Sequence, residues 1–347
     1  MPCYHPLQAF ASKAKNSNGK SSIVFDKKIG SSSAAMEPIK IPCGQCIGCR
    51  LERSRQWALR CMHESSLYPR NCFITLTYNP ENLPKDGSLQ LRHFQLFFKR
   101  LRKKYGQKIR FFHCGEYGEK NQRPHYHACI FNFDFNDRIP YKTVNGHTLY
   151  TSKALSDLWS DPRTGSPYGF CTIGDVTFES AAYVARYITK KINGAKSITH
   201  YEKTFSQREE YGPLQCKDDY IHPETNERIK CSCKKTESWF EIKTKIKPEY
   251  ITMSRRPGIG DGWYKKYSTD CYPSDYLIHR EMKIKPPKFY DKLLEKTNEL
   301  VFTAIKQARK QQIKIDHLEE SPQRRKVRET VKKSLFKQLK RNYENET

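Results

Sequence analysis

The sequence predicts an α+β fold with a central, mainly antiparallel sheet that is flanked by helices. Two kinds of periodicity lead to this prediction. Short segments alternate apolar and polar residues as half-buried strands do, and longer segments repeat apolar residues with a helical period. These segments follow one another in the order strand, helix, strand, strand, helix, strand, helix, which is typical of an α+β domain. A cysteine-rich segment precedes this domain, and a basic, helix-forming tail follows it.

The N-terminal segment combines cysteines with basic residues. Residues 10–38 are rich in Ser, Lys and Gly, and only Ile23–Phe25 resembles a strand. A cysteine cluster begins at Cys43, and a helical pattern follows from Arg50 to Glu64, with Trp57 turned to the core. We therefore expect a basic, cysteine-rich segment that ends in a helix.

Seven elements are predicted for the core. The first strand alternates large apolar residues with threonine and ends at Asn79-Pro80, and the first helix has an apolar side that includes Phe94 and Leu101. The last helix is followed by Asn193-Gly194, which is a C-terminal stop signal. The predicted elements are strand 73–78, helix 91–105, strand 109–116, strand 125–133, helix 152–159, strand 170–178 and helix 179–192.

Changes in composition divide the chain into five regions. One stretch beyond the core is polar without a clear period, and the next is aromatic and rich in Gly and Pro. The predicted regions are a Cys-rich basic segment (1–65), the core (66–195), a variable insertion (196–250), a return segment packed on the core (251–290) and a basic helical tail (291–347).

The charge of the chain indicates a polyanionic partner. Among 347 residues, 63 Lys and Arg stand against 37 Asp and Glu, a net charge of +26, which fits DNA, RNA or an anionic membrane. The chain has no apolar run near the roughly 20 residues of a spanning helix and no signal peptide. We therefore expect a soluble intracellular protein that binds nucleic acid. Its 13 cysteines are then thiols or metal ligands rather than a disulfide framework.

Two histidines, His125 and His127, lie two residues apart in the predicted strand 125–133. Residues i and i+2 of a strand face the same way, about 7 Å apart, so both imidazoles can point toward one ion. If strands 109–116 and 125–133 form a hairpin, Glu116 lies close to both. Two imidazoles and a carboxylate form an open site that suits Mg²⁺ or Mn²⁺ beside a phosphate oxygen, although Zn²⁺ also binds such ligands. The alternative is that these histidines are packing residues of the strand.

Two tyrosines, Tyr183 and Tyr187, lie one helical turn apart on the predicted helix 179–192, so their side chains share one face. The pKa of a phenol is near 10, so a tyrosine needs a nearby cation or base to act as a nucleophile at neutral pH. Lys190 lies on the same side as Tyr187 and supplies such a cation. The alternative is that both tyrosines are packing residues of an amphipathic helix.

The spacing of Cys43, Cys46 and Cys49 resembles that of a zinc knuckle and predicts a structural Zn²⁺ site, with buried or free thiols as the alternative. Four residues are candidates for the fourth ligand: Cys61, His63, Cys3 and His5. A weaker pattern of the same kind involves Cys216, Cys231 and Cys233.

Several basic and aromatic side chains are candidates for nucleic-acid contacts. The arginines of the helix after the cysteines would track phosphates, and aromatic residues among lysines would stack on bases, with solvated charge and core packing as the alternatives. The tail is either a solvated helix or a source of non-specific DNA affinity. The residues concerned are Arg50, Arg53, Arg55, Arg60, Trp263, Tyr264 and Tyr267.

Three motifs, in this order, resemble those of the HUH endonucleases, a family of rolling-circle replication initiators and relaxases. The motifs are Phe73–Tyr78, Pro124–His127 and Tyr183–Lys190. The form with two tyrosines resembles the initiators of small icosahedral single-stranded DNA phages, and further segments are similar to gokushovirus-type microvirus initiators. Those segments are Pro42–Trp57, Cys114–Gly118, Gly174–Ala182 and Pro257–Gly260.

This resemblance implies a nickase that cuts one DNA strand at a viral origin. A tyrosine would keep the 5′ end as a phosphotyrosine, and the free 3′-hydroxyl would prime a host polymerase before joining releases a circle. Glu116 occupies the position, nine residues before the first histidine, where several family members carry a glutamate. The chain has no Walker A motif, so unwinding would need a host helicase. The expected partners are single-stranded DNA and origin DNA in the cytoplasm of a bacterial host.

Other functions compete with this interpretation. A two-tyrosine HUH transposase or relaxase would use the same residues but cut at a different kind of site. A non-catalytic, zinc-containing nucleic-acid-binding protein would explain the charge but not the histidine and tyrosine pairs together. A small-molecule metallohydrolase would need neither the charge nor two phenols. The oligomeric state is not predicted.

Overall fold

The structure is a computed structural model that describes residues 3–17, 21–25, 36–118, 122–144, 146–186, 201–211, 219–221, 228–230, 236–312 and 320–338. The chain divides into two units. The first unit contains Met1–Leu83, Gln90–Lys191 and Glu249–Thr347, and the second contains Pro84–Leu89 and Ile192–Pro248.

Strands and helices alternate irregularly along the chain. The described elements are β1 (Leu7–Lys15), β2 (Ser21–Val24), β3 (Met36–Ile41), α1 (Ile47–Ser65), β4 (Asn71–Leu76), α2 (Leu91–Tyr105), β5 (Arg110–Tyr117), β6 (Pro124–Phe131), β7 (Ile139–Val144), β8 (His147–Thr151), α3 (Lys153–Leu158), β9 (Cys171–Gly174), α4 (Phe178–Arg186), β10 (Glu202–Tyr211), β11 (Asp219–Ile221), β12 (Arg228–Lys230), β13 (Thr236–Lys245), β14 (Tyr250–Met253), α5 (Asp261–Cys271), β15 (Leu277–His279), β16 (Met282–Ile284), α6 (Lys288–Thr297), α7 (Glu299–Gln311) and α8 (Pro322–Lys337).

A sheet of seven strands lies at the centre of the first unit, in the order β14-β5-β6-β4-β9-β8-β7. Every neighbouring pair in this sheet is antiparallel. The predicted α+β architecture, with a mainly antiparallel sheet flanked by helices, is therefore confirmed. The middle strand β4 is buried on both sides, since Phe73, Ile74 and Thr75 are all at most 4% exposed.

Helices cover both faces of this sheet, and successive residues of a strand point to opposite faces. On one face α2 packs its phenylalanines against β5, where the Phe94 ring lies 3.4 Å from the ring of His113. On the other face α1 and α4 pack against Phe112 and Phe131, with Ala58 and Val184 fully buried between them. The apolar face predicted for α2 is therefore the face that it buries.

Two parts of the sheet differ from the prediction. The hairpin of β7 and β8 was not predicted, because β7 is largely exposed and lacks the alternation of a half-buried strand. The strand predicted over 170–178 is too long, because β9 ends at Gly174 and Thr177 is the residue that caps the next helix. The Ser180 amide donates to Thr177 Oγ1 at 3.2 Å, and the Thr177 amide donates to Ser180 Oγ at 2.8 Å. These reciprocal bonds form a capping box, which starts α4 at Phe178.

The N-terminal segment forms a sheet of three strands in the order β2-β1-β3. Ile23 and Val24 of the predicted strand patch lie in β2, which ends before Phe25, whereas β1 and β3 were not predicted. A second apolar cluster lies in the C-terminal part, where Trp263 and Tyr264 are buried with Tyr290. For these two aromatic residues the core interpretation is correct, and base stacking is excluded by their burial.

In the described residues of the second unit there are two strand pairs. Strands β10 and β13 pair antiparallel along their whole length, and β11 pairs with β12. The sequence predicts no element here, because Glu202–Tyr211 consists mainly of charged and polar residues and shows no apolar alternation. None of the helices in the described ranges is both long enough and apolar enough to span a bilayer.

Candidate active site

The register of β5 and β6 brings the predicted metal ligands together. Glu116 is the cross-strand partner of His125, and Cys114 is the partner of His127. The predicted hairpin is therefore present, and alternation along the strands places both imidazoles and the carboxylate on the face covered by α1 and α4. Tyr126 points to the opposite face, where its hydroxyl lies 3.0 Å from the Tyr78 hydroxyl.

Both histidines approach the same oxygen of Glu116. His125 Nε2 lies 3.0 Å and His127 Nε2 lies 2.9 Å from Glu116 Oε1. The side chains of Glu116 and His127 are 0% and 1% exposed, whereas that of His125 is 15% exposed. The cluster therefore opens to solvent on the side of His125.

Each histidine is also held through its other ring nitrogen. His125 Nδ1 donates to the backbone carbonyl of Arg123 at 3.1 Å, and His127 Nδ1 lies 2.9 Å from Thr75 Oγ1. Because Nδ1 of His125 donates to that carbonyl, Nε2 is the ring nitrogen that faces Glu116 and that would bind a metal ion after losing its proton. Metal-binding histidines in proteins are commonly oriented by such contacts at the second nitrogen.

The electrostatics of the cluster favour a cation. Burial alone would raise the pKa of Glu116, but the two imidazoles lower it to about 2, so this buried carboxyl group is ionised. Neighbouring ligands of an octahedral ion, each roughly 2.1 Å from the metal, lie about 3 Å apart, which is the spacing of the ring nitrogens and the carboxylate oxygen here. Glu116, His125 and His127 therefore fit a divalent metal ion.

Tyr183 is the tyrosine of the predicted pair that the structure describes, and it faces this cluster. Its hydroxyl donates to Glu116 Oε1 over 3.5 Å, and its ring lies 5.0 Å from the ring of His127. The Tyr183 side chain is buried, at 2% exposure. Tyr187 and Lys190, the other predicted catalytic residues, lie outside the described residues.

The helix that carries Tyr183 is fixed by its neighbours. Ser54 Oγ of α1 donates to the backbone carbonyl of Ala182 in α4 at 2.9 Å. The Arg186 guanidinium carbon lies 5.7 Å from the centre of the Tyr183 ring, close enough for a cation–π contact. Helix α1 therefore holds the helix that carries Tyr183 in place, and the guanidinium of Arg186 lies beside the Tyr183 ring.

Sequence reasoning alone gave no role to Thr75, Arg123 and Ser54. Thr75 is in the first of the three motifs, but no sequence pattern shows that its hydroxyl contacts a histidine. The Arg123 carbonyl is a backbone group, so residue identity carries no signal for it. The bond from Ser54 depends on how two helices pack, which the helical period does not specify.

A second cluster of ligand type lies at the start of α1. The sulfurs of Cys43, Cys46 and Cys49 are grouped with that of Cys3, so the residues present are compatible with a metal ion. Of the other candidates for the fourth ligand, His5 contacts Glu329 at 2.7 Å. Cys61 belongs to the core cluster under the sheet, and His63 stacks on Trp263 with ring centres 3.7 Å apart. The residues Cys216, Cys231 and Cys233 lie outside the described residues.

Two of the arginines that were candidates for phosphate contacts are engaged inside the protein. The Arg60 guanidinium lies between the rings of Trp57 and Phe289, at 3.9 and 3.8 Å, and donates to a backbone carbonyl. Arg55 pairs with Glu52 at 2.6 Å. For these two residues the contacts within the fold favour a structural role, the alternative to phosphate tracking.

Comparison with known proteins agrees with the motifs. Residues 71–192 match the family model of the replication-associated protein ORF2/G2P. Replication-associated protein ORF2 of Spiroplasma virus 4 is 30% identical over 272 residues, which cover 74% of this chain and 68% of that protein. The chain belongs to the microvirus replication-associated protein family. The resemblance to microvirus initiators seen in the sequence is confirmed at the level of this family.

Two further relatives match smaller parts of this replication-associated protein. Replication-associated protein VP4 of Bdellovibrio phage phiMH2K is 38% identical over 210 residues, 58% of this chain and 61% of VP4. Replication-associated protein ORF4 of Chlamydia phage 1 is 30% identical over 178 residues, 47% of this chain and 43% of that protein. The chain thus matches less than two thirds of either protein, and no solved structure matches it.

Proposed function

We propose that this replication-associated protein nicks one strand of viral origin DNA by tyrosine transesterification. The observation that carries the proposal is the Tyr183 hydroxyl beside Glu116, within the cluster that contains both histidines. Membership of a replication-associated family supports the same role. The antiparallel sheet with a histidine pair on an inner strand also supports an HUH-type nuclease core.

The proposed reaction exchanges one phosphate ester for another. The Tyr183 hydroxyl loses its proton as its oxygen attacks the scissile phosphorus, the bond to the 3′ oxygen breaks, and that oxygen takes up a proton to become a 3′-hydroxyl. The DNA 5′ end stays on the enzyme as a phosphotyrosine. Because one ester bond forms for each that breaks, the reverse step rejoins strands without ATP.

The phenol requires help at neutral pH, since its ordinary pKa is near 10. Arg186 lies beside the Tyr183 ring and stabilises negative charge there. Lys190 follows in the same segment of the sequence, and we assign it the same task. Tyr187 is proposed to cut the second junction while the first remains attached.

We assign Mg²⁺ or Mn²⁺ to Glu116, His125 and His127, because nitrogen and carboxylate ligands suit these ions. When bound, the ion polarises the scissile phosphate and stabilises the charge that develops on it. Two protein groups orient the metal ligands: Thr75 holds the ring of His127, and the Arg123 carbonyl holds the ring of His125. We assign Zn²⁺ to the cysteine sulfurs of the second cluster, because Zn²⁺ prefers sulfur ligands.

DNA is proposed to enter from the side of His125, the ligand with 15% exposure. Because Tyr183 is only 2% exposed, a bound strand must displace part of what covers its hydroxyl. The net charge of +26 supports binding of single-stranded and origin DNA. Host helicase and polymerase would unwind and extend the nicked strand in the bacterial cytoplasm, and joining would close the displaced strand into a circle.

The proposal is tested by incubating the protein with origin-containing DNA and Mn²⁺ or Mg²⁺, followed by protease and a denaturing gel. The native protein should nick one strand and form a covalent 5′ adduct. Tyr183→Phe should lose most of this adduct, and the Tyr183→Phe/Tyr187→Phe double variant all of it. Tyr141→Phe, which changes an exposed tyrosine outside the cluster, is the matched control. Nicking that survives the double change would reject the mechanism, and cleavage at element ends rather than an origin would indicate a transposase.

A further inference from the structure

The four cysteines at the start of α1 have the spacing of ligands around a single ion. The sulfur of Cys3 lies 3.6 Å from that of Cys43 and 3.9 Å from that of Cys46. All four sulfurs, including that of Cys49, lie within 4.8 Å of one another. Four sulfurs placed tetrahedrally, each about 2.3 Å from a zinc ion, are about 3.8 Å apart.

A disulfide and an iron–sulfur cluster of the ferredoxin type do not fit these four cysteines. A disulfide brings its two sulfurs to about 2.05 Å, and all four cysteines are free. An iron–sulfur cluster of the ferredoxin type needs a further cysteine four residues after Cys49, followed by proline, and Arg53-Ser54 occupy these positions instead. Contact distances between the sulfurs also leave room for one ion rather than for a cluster of several.

Backbone amides around the cysteines are arranged for thiolates. The Cys43 amide donates to Cys3 Sγ at 3.3 Å, the Cys46 amide to Cys43 Sγ at 3.3 Å, and the Tyr4 amide to Cys46 Sγ at 3.4 Å. The turn that allows this contains Gly44, whose φ of +74° favours glycine. Three amide donors aimed at sulfur stabilise the deprotonated form that a metal requires.

We propose that Cys3, Cys43, Cys46 and Cys49 bind one structural Zn²⁺. Four protein ligands complete a tetrahedral shell and leave no position for substrate, so the ion has a structural role. Cys3 supplies the fourth ligand and so completes the shell that Cys43, Cys46 and Cys49 leave open. It lies 40 residues before Cys43 in the sequence, so it is not part of the local motif.

The ion would fasten the N-terminal sheet to α1. Leu7, the first residue of β1, pairs with Ile41, the last residue of β3, so the pair lies close in sequence to Cys3 and Cys43. Helix α1 begins next to Cys46 and supports α4 through the bond from Ser54 to Ala182. The zinc site therefore stabilises the helix behind Tyr183 without contacting the candidate active site. This inference does not depend on the proposed nicking reaction.

The test measures metal content in the full chain. Protein purified with Zn²⁺ should contain one zinc per chain by inductively coupled plasma mass spectrometry. Replacement by Co²⁺ should give the absorption bands of a tetrahedral site with four thiolates. Cys3→Ser should lose zinc or bind it far more weakly, and Cys271→Ser, which changes a buried thiol in the C-terminal cluster, should keep it.

Two results would overturn the proposal. The first is stoichiometric zinc in Cys3→Ser at unchanged affinity, and the second is no zinc in native protein purified with the ion. If Cys3→Ser fails to fold, the Co²⁺ spectrum of the native protein still decides, because a spectrum with fewer than four thiolates contradicts the assignment. His127→Ala should retain its zinc, so failure here is distinct from failure of the nicking mechanism.

Discussion

The two clusters of ligand residues differ in how the chain assembles them. Glu116, His125 and His127 lie on paired strands of one hairpin, so sheet register alone brings them together. The cysteine cluster needs Cys3, which is 40 residues before Cys43 in the sequence. The two cysteines meet because β1 and β3, which lie between them in the sequence, pair antiparallel. A local cluster is therefore set by secondary structure, whereas the second depends on tertiary structure.

The clusters also differ in chemistry and in access. Nitrogen and oxygen donors with one partly exposed histidine form an open site, which suits a reaction on a phosphate. Four sulfurs form a closed site, which suits stabilisation of the fold. The comparison predicts that changes in one cluster alter activity and changes in the other alter stability.

His127→Ala is expected to have the largest effect. It removes an imidazole from the open cluster, and loss of several kcal/mol of charge stabilisation slows nicking by about 10³-fold. Single-turnover nicking assays with Mn²⁺ measure the rate. His147→Ala, a histidine on β8, is the control and should nick normally. If the His127→Ala variant nicks DNA at a rate within tenfold of the native rate, the histidine cluster is not the site that determines activity.

Thr75→Val should weaken the metal site by a smaller factor. The substitution keeps the shape of the side chain but removes the hydroxyl 2.9 Å from His127 Nδ1. Loss of such an orienting contact lowers metal affinity by about 10–100-fold, so half-maximal nicking should need correspondingly more Mn²⁺. Thr77→Val is the matched control, because that hydroxyl donates to the Phe170 carbonyl instead. An unchanged Mn²⁺ requirement would show that Thr75 does not orient the ligand.

Ser180→Ala should have the smallest effect, and it acts on stability. It removes one half of the capping box that starts α4, which is worth about 1 kcal/mol. Thermal unfolding should shift down by roughly 2–4 °C, with the Mn²⁺ requirement of nicking unchanged. If the unfolding temperature stays the same but nicking needs a different Mn²⁺ concentration, the start of α4 affects the metal site rather than stability.

The sequence predicts the open cluster better than the closed one. The hairpin that aligns Glu116 with His125 follows from two alternating segments and a polar turn, which are local signals. The fourth cysteine was one of four alternatives, because spacing along the chain does not reveal a contact made 40 residues away. Thr75 was missed for a related reason, since its hydroxyl bond depends on register with a neighbouring strand.

The fold shows the same limit. The buried strands β4, β5 and β6 were predicted because helices cover them and their apolar residues are recognisable. The exposed strand β7 and the polar pair β10 and β13 were missed, because pairing through the backbone leaves no apolar period in the sequence. The buried strands were therefore predicted, whereas these exposed strands were not.

The most direct test of the account is to locate the covalent DNA on the protein. After nicking of an origin oligonucleotide, nuclease and trypsin digestion followed by mass spectrometry identifies the tyrosine that carries a nucleotide. Trypsin cuts after Arg186, so Tyr183 and Tyr187 fall on different peptides. The account predicts a 5′-phosphonucleotide on Tyr183 when the oligonucleotide contains one cut site. A nucleotide found only on Tyr187, or nicking without any tyrosine adduct, would contradict it.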